Sequence, residues 1–233
     1  MSAVLEVEGL SKDFGGVHAV HEVSFALERG VILGLIGPNG SGKTTLLNLV
    51  AGTLRASSGR VVLDGLDVTR FTPHRKVSRG IARTFQTTRL LGDWTVRRTL
   101  EVAAAARRGG PSAGDIARVV GIADDLDRAA GSLPSATQRL VMVASALATQ
   151  PQVLLLDEPA VGMDIDETDH LKAVIEVARA DLGATVIVVE HNMRFLMTLA
   201  DSVIVMASGS VLSSGTPQQV RNDPAVVTAY LGD

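Results

Sequence analysis

Residues 37–44 read Gly37-Pro38-Asn39-Gly40-Ser41-Gly42-Lys43-Thr44, with an apolar run before them (31–36) and a helix-like run after them (45–50). No other stretch constrains the fold as strongly. The spacing G-x-x-x-x-G-K-T is that of a phosphate-cradling Walker A loop, and its strand–loop–helix setting is the context the motif requires. Glycines let the backbone curl so that several N–H groups point inward at phosphate oxygens. The helix N-terminus behind adds a partial positive charge. Gly37, Asn39, Gly40, Ser41 and Gly42 are thus expected to form the cradle. Lys43 reaches the β- and γ-phosphates, and Thr44, followed by Thr45, offers a hydroxyl to Mg2+. The expected cofactors are ATP and Mg2+.

The 233-residue length permits one substantial core with room for a small subdomain. No apolar run approaches the ~20 residues that span a bilayer. Residues 1–6 lack the basic-then-apolar pattern of a signal peptide. Cysteine is absent, which excludes disulfide and thiolate chemistry and fits a reducing compartment. The formal net charge of −3, with Lys and Arg scattered, argues against a nucleic-acid partner.

The coarse pattern is β-rich, then helical, then alternating. Strand-like runs at 4–8, 17–28 and 60–68 are separated by turn signals, Phe14-Gly15-Gly16 and Asp64-Gly65 among them. Residues 95–108 and 112–130 read as helices joined through Gly109-Gly110-Pro111. Pro134 opens another helix, running to Ala148. Three short apolar strands follow, at 153–156, 185–189 and 203–206, with helical patterns at 166–181 and 192–200 between them. That alternation predicts a parallel sheet with crossover helices. Thr216-Pro217 and Asp223-Pro224 each read as an N-cap followed by proline. The expected class is α/β, with an ATP-binding core at 1–85 and 150–233 interrupted by a helical subdomain at 86–149.

The remaining phosphate chemistry follows from strand ends. The apolar run 153–156 ends in Asp157 and Glu158. Asp157 is placed to hold Mg2+ and Glu158 to polarise the attacking water as general base. His191 follows the strand 185–189, at the carboxyl end where parallel sheets bind ligands. It is expected to contact the γ-phosphate and the attacking water. Gln86, in Arg83-Thr84-Phe85-Gln86, lies between the core and the helical region, where its amide can sense Mg2+ and the water. Phe14 is a candidate for stacking on adenine.

These five elements in this order resemble the ATP-binding subunits of ABC transporters over essentially the whole chain. The likeness is strongest to the branched-chain amino acid (Liv-type) and urea importers, through Lys12-Asp13-Phe14-Gly15-Gly16, Arg83-Thr84-Phe85-Gln86, Arg89-Leu90-Leu91, Val189-Glu190-His191-Asn192-Met193 and the ending from Gly215 to Gly232. The resemblance implies a P-loop ATPase with an N-terminal antiparallel β subdomain. It implies a cytoplasmic protein on the inner face of the membrane that drives a transmembrane permease and, indirectly, serves a solute-binding protein. Two ATPase subunits would sandwich two ATP molecules head to tail. Phe14 is then the adenine-stacking aromatic, Gln86 the loop glutamine coupled to the permease, and His191 the switch histidine. Asp164, in Gly162-Met163-Asp164, matches a segment that crosses the dimer interface. A urea importer, an exporter, or an ATP-binding switch with little hydrolysis are the alternatives.

The signature segment departs from the family pattern Leu-Ser-Gly-Gly-Gln-Gln-Arg. This chain has Leu133-Pro134-Ser135-Ala136-Thr137-Gln138-Arg139. In the family this segment meets the γ-phosphate held by the opposite subunit. Ser135 and Ala136 replace the two glycines and put a Cβ where bare backbone suits close approach. Thr137 and Gln138 complete the altered segment. With its own nucleotide groups intact and a defective signature to offer, the chain is expected to work as a heterodimer beside a second ATPase carrying a normal signature.

Overall fold

A computed structural model describes residues 3–84, 90–106 and 110–231. In chain order its elements are β1 (Ala3–Phe14), β2 (Val17–Glu28), β3 (Ile32–Ile36), α1 (Lys43–Ala51), β4 (Ser58–Leu63), β5 (Leu66–Asp67), α2 (Pro73–Arg79), β6 (Ile81–Arg83), α3 (Val96–Ala104), α4 (Ala113–Val120), α5 (Ser135–Ala148), β7 (Val153–Asp157), α6 (Ile165–Ala180), β8 (Thr185–Val189), α7 (Met193–Leu199), β9 (Ser202–Ala207), β10 (Ser210–Gly215), α8 (Pro217–Arg221) and α9 (Pro224–Leu231).

Two sheets carry the architecture. The first is antiparallel, in the order β2-β1-β4-β5. The second runs β10-β9-β3-β8-β7-β6, parallel except for the edge pair β10–β9. Its central strands are continuous apolar runs because both faces are covered. Ile32, Ile36, Leu154, Leu156, Val186, Val188, Val203 and Val205 pack towards α3–α7. The alternate residues, Leu33, Leu35, Leu155, Ile187, Val189 and Met206, pack towards α1 and the antiparallel sheet. The phosphate-loop strand β3 lies between β9 and β8, so the loop leaves the middle of the sheet.

Several expectations change in detail. The strand expected at 4–8 runs on to Phe14 as a bulged partner of β2. The run 60–68 divides at Asp64-Gly65, both with positive φ (51° and 77°), which is the hairpin geometry those residues favour. The helix expected over 112–130 stops at Val120, because Gly121 adopts φ 77° and its N–H caps the last carbonyls; two 3-10 turns follow. Pro134 flanks α5 as its N-cap and is not its first helical residue. The elements α2, β6 and β10 are additional to those expected from sequence. β6 has three residues and β10 is mostly Ser and Gly, so neither carries a periodic signal.

Candidate functional site

The site is built around the N-terminus of α1. Gly42 stands as its N-cap at φ 102°, and a Cβ there would overlap the carbonyl of Ala19 from β2. Gly37 is equally crowded, against the backbone oxygen of Met206 at the end of β9. The loop is thus gripped by both sheets, and only glycine fits these two positions. Lys43 is buried, and its Nζ donates to Gly37 O at 2.7 Å and Pro38 O at 2.9 Å. Burial lowers its pKa, while the negative charges of Glu158 and Asp157 act in the opposite direction.

A cavity of about 210 Å3 opens over this helix end, lined by Ala19, Asn39, Gly40, Gly42, Lys43, Thr44, Thr45, Glu158 and His191. Residues from the loop, from β7 and from β8 therefore meet in one place. Glu158 follows β7 with φ 49°, a left-handed conformation uncommon outside glycine, and its N–H bonds to Val189 O at 2.9 Å. His191 Nε2 lies 2.7 Å from Glu158 Oε1. Behind them, Glu190 is buried and accepts from Ala160 N at 2.7 Å and His191 N at 3.1 Å. It fastens the turn after Glu158 to the turn bearing His191. Burial raises its pKa, against the hydrogen bonds that favour its charged form.

Asp157 ends β7 at 2% exposure. Its Oδ2 accepts from Arg83, whereas Oδ1 is buried without a hydrogen-bond partner among the described residues. An orphaned carboxylate oxygen beside a phosphate loop with an exposed Thr44 suits a hydrated divalent cation of hard-oxygen preference. The residues present therefore fit Mg2+.

Other expected site residues lie elsewhere. Phe14 ends β1 half exposed (47%), with Lys12 Nζ 4.9 Å from its ring centre. It does not line the cavity, although its hairpin partner strand supplies Ala19. Ser135, Ala136, Thr137 and Gln138 form the first turn of α5, away from the cavity, and Ser135 is exposed. Pro134 gives this turn no side-chain cap; Gln138 Nε2 donates back to Leu133 O at 2.9 Å. Asp164 is the exposed N-cap of α6 in a reciprocal capping box with Glu167. Gln86 lies outside the described residues. Sequence reasoning gave no role to Glu190, Arg83, Asn48 or Ala19. A carboxylate directly between an apolar strand and a histidine was the available signal for Glu190; Ala19 offered none.

A glycine-gripped loop at a helix N-terminus, in the middle of a parallel sheet whose strands β7 and β8 run into the carboxylates of Asp157, Glu158 and Glu190, defines a P-loop nucleoside triphosphatase. Residues 20–161 match the family model described as ABC transporter, and residues 210–233 match that of the branched-chain amino acid ATP-binding cassette transporter. The chain is 36% identical over 250 residues to the high-affinity branched-chain amino acid transport ATP-binding protein BraF of Pseudomonas aeruginosa, covering 99% of this chain and 98% of the relative. It is 31% identical, with the same coverage, to the lipopolysaccharide export system ATP-binding protein LptB of Haemophilus influenzae. Among solved structures, the ADP conformation of an ATP-binding cassette of an ABC transporter superposes with a TM-score of 0.89 at 30% identity, covering all of both chains. A nucleotide-free cassette gives 0.89 at 29% identity over 99% of this chain and 100% of that one. The chain belongs to the ABC transporter family, as one of its ATP-binding, ATP-hydrolysing subunits. Among the described residues no helix is long and apolar enough to cross a membrane.

Proposed function

We propose that the chain energises an importer of branched-chain or other amino acids from the inner face of the cell membrane. The observation that carries the substrate class is the match of residues 210–233 to the branched-chain cassette model, since this segment lies outside the general ATPase match. Lys43 and the amides of 39–44 bind the phosphates, exchanging the lysine's present carbonyl partners for phosphate oxygens. Thr44 and Asp157 hold Mg2+, which when bound neutralises phosphate charge. Glu158 takes the proton of the attacking water and His191 orients that carboxylate. Phe14 stacks on adenine, Gln86 reports to the permease, and the turn at Ser135–Gln138 faces the nucleotide of the partner subunit.

The altered signature makes a heterodimer the working form, with a second ATPase supplying an unaltered one. The ATP-binding core is 1–85 with 150–233, and the helical subdomain 86–149 meets the permease. The test is reconstitution of the chain with its co-encoded permease and second ATPase in proteoliposomes. ATP-dependent uptake of labelled leucine, isoleucine or valine through the cognate binding protein is expected. Assembly into a complex that extrudes a lipid-like solute and takes up no amino acid would contradict the proposal. That second reading, an exporter, is favoured by the likeness to the LptB relative.

A further inference from the structure

Arg83 closes β6 as Asp157 closes β7, on neighbouring parallel strands. One guanidinium nitrogen lies 2.8 Å from Asp157 Oδ2 and another 2.5 Å from Asn48 Oδ1. The contact is buried: the Arg83 side chain is 7% exposed and that of Asp157 1%. Asn48 stands one turn beyond Thr44 on the same face of α1. Thr53 Oγ1 donates to the same amide oxygen at 2.7 Å, so the acceptor is itself held. The next residue, Thr84, adds two ties to β7: its N–H donates to Leu155 O at 2.9 Å, and its Oγ1 accepts from Asp157 N at 3.4 Å. One side chain thus clamps the strand that leads into residues 85–89, the carboxylate strand and the phosphate-loop helix.

A buried carboxylate needs its charge compensated and its oxygens aimed. The planar guanidinium fork does both, because it fixes two acceptors at a set angle. It occupies Oδ2 and leaves Oδ1, the buried oxygen without a partner among the described residues. We infer that Arg83 is a positioning residue for Mg2+ capture: it holds Asp157 so that Oδ1 faces the metal's coordination sphere, and locks that carboxylate to the phosphate-loop helix and to the strand preceding Gln86. The inference rests on the ATP–Mg2+ reading above.

The test is binding of a non-hydrolysable ATP analogue to the full chain, in Mg2+ and in EDTA. The ratio of the two affinities is the readout. Arg83→Met is expected to cut that ratio about tenfold, the usual effect of removing a residue that orients a metal ligand, with the EDTA affinity nearly unchanged. Arg83→Lys keeps the charge but reaches one partner, and recovers part of the ratio. Asn48→Ala shifts the ratio the same way, and the double variant with Arg83→Met shifts it no further than Arg83→Met alone. If Arg83→Met fails to fold, the Arg83→Lys and Asn48→Ala arms decide. An unchanged ratio, or an equal loss in both buffers, overturns the inference alone. No nucleotide binding by the wild type overturns the underlying reading and the inference with it.

Discussion

His191 Nε2 lies 2.7 Å from Glu158 Oε1, although the two residues are 33 apart in sequence and belong to turns after different strands. The contact orients a carboxylate that the backbone already projects through a left-handed turn. His191→Ala is therefore expected to lower kcat about 10²–10³-fold, since positioned proton transfer is lost. Its ATP affinity should stay close to wild type, because the phosphates are held from the loop. Steady-state kinetics with parallel binding measurements check this. A fall in affinity as large as the fall in kcat would place His191 in ground-state binding.

Lys43 donates to two carbonyls of its own loop, those of Gly37 and Pro38. Phosphate has to replace those acceptors, so the ammonium contributes to ligand affinity more than to folding. Lys43→Ala should keep the unfolding temperature of the ligand-free chain within a few degrees of wild type. It should lose the upward Tm shift that saturating ATP gives by mass action, about 3 kcal/mol at a hundred times Kd. Differential scanning fluorimetry reads both. An undiminished ATP shift in the variant would contradict the role.

Ser135 is exposed in the first turn of α5, which has no side-chain cap. Its leading N–H groups attract anions, and on the proposed function the Cβ atoms of Ser135 and Ala136 stand in the way of the partner's phosphate. The double substitution Ser135→Gly, Ala136→Gly is expected to raise the Mg-ATPase rate of the chain alone by about tenfold or more, because the existing backbone donors can then approach developing negative charge more closely. A rate no higher than wild type would show that the side chains are not what limits the homodimer.

Lys76 is fully buried on α2, where its ammonium donates to Leu49 O and Val50 O at the C-terminus of the phosphate-loop helix. Desolvation lowers its pKa from 10.5 to about 8, with Asp67 opposing. Between these values the unfolded chain binds more protons than the folded one, so stability rises with pH across that window. The penalty is fully present below pH 8 and is relieved above 10.5. Relative to Lys76→Met, the wild type should gain about 2 kcal/mol between pH 8 and 10, measured by urea unfolding of both proteins. A difference between the two that stays flat across this range would contradict the buried, shifted ammonium.

The residues that carry local rules were readable from sequence. The loop 37–44, the strand end at Asp157-Glu158 and the proline-led starts of α8 and α9 each obey short-range chemistry. The apolar runs of β7, β8 and β9 declared strands buried on both faces. What was not readable depends on pairing across the fold. β6 is a strand because Ile81, Ala82 and Arg83 find β7, not because three residues show a period. The Arg83–Asp157–Asn48 contact joins positions 35 and 74 residues apart, and nothing in the spacing announces it. Phe14 and the segment 135–138 were legible as candidates, yet neither lines the phosphate cavity of the single chain. On the proposed function, Phe14 serves the bound nucleotide and segment 135–138 serves a second subunit.

The most direct measurement is the steady-state Mg-ATPase rate of the purified chain alone and of its complex with the second ATPase subunit, each with and without Glu158→Gln in this chain. The expected result is a rate alone no higher than its Glu158→Gln control, and a rate in the complex that the same substitution lowers at least about a hundredfold. Full turnover by the chain alone, or turnover of the complex indifferent to Glu158→Gln, would contradict a catalytic site that this chain builds and a partner's signature completes.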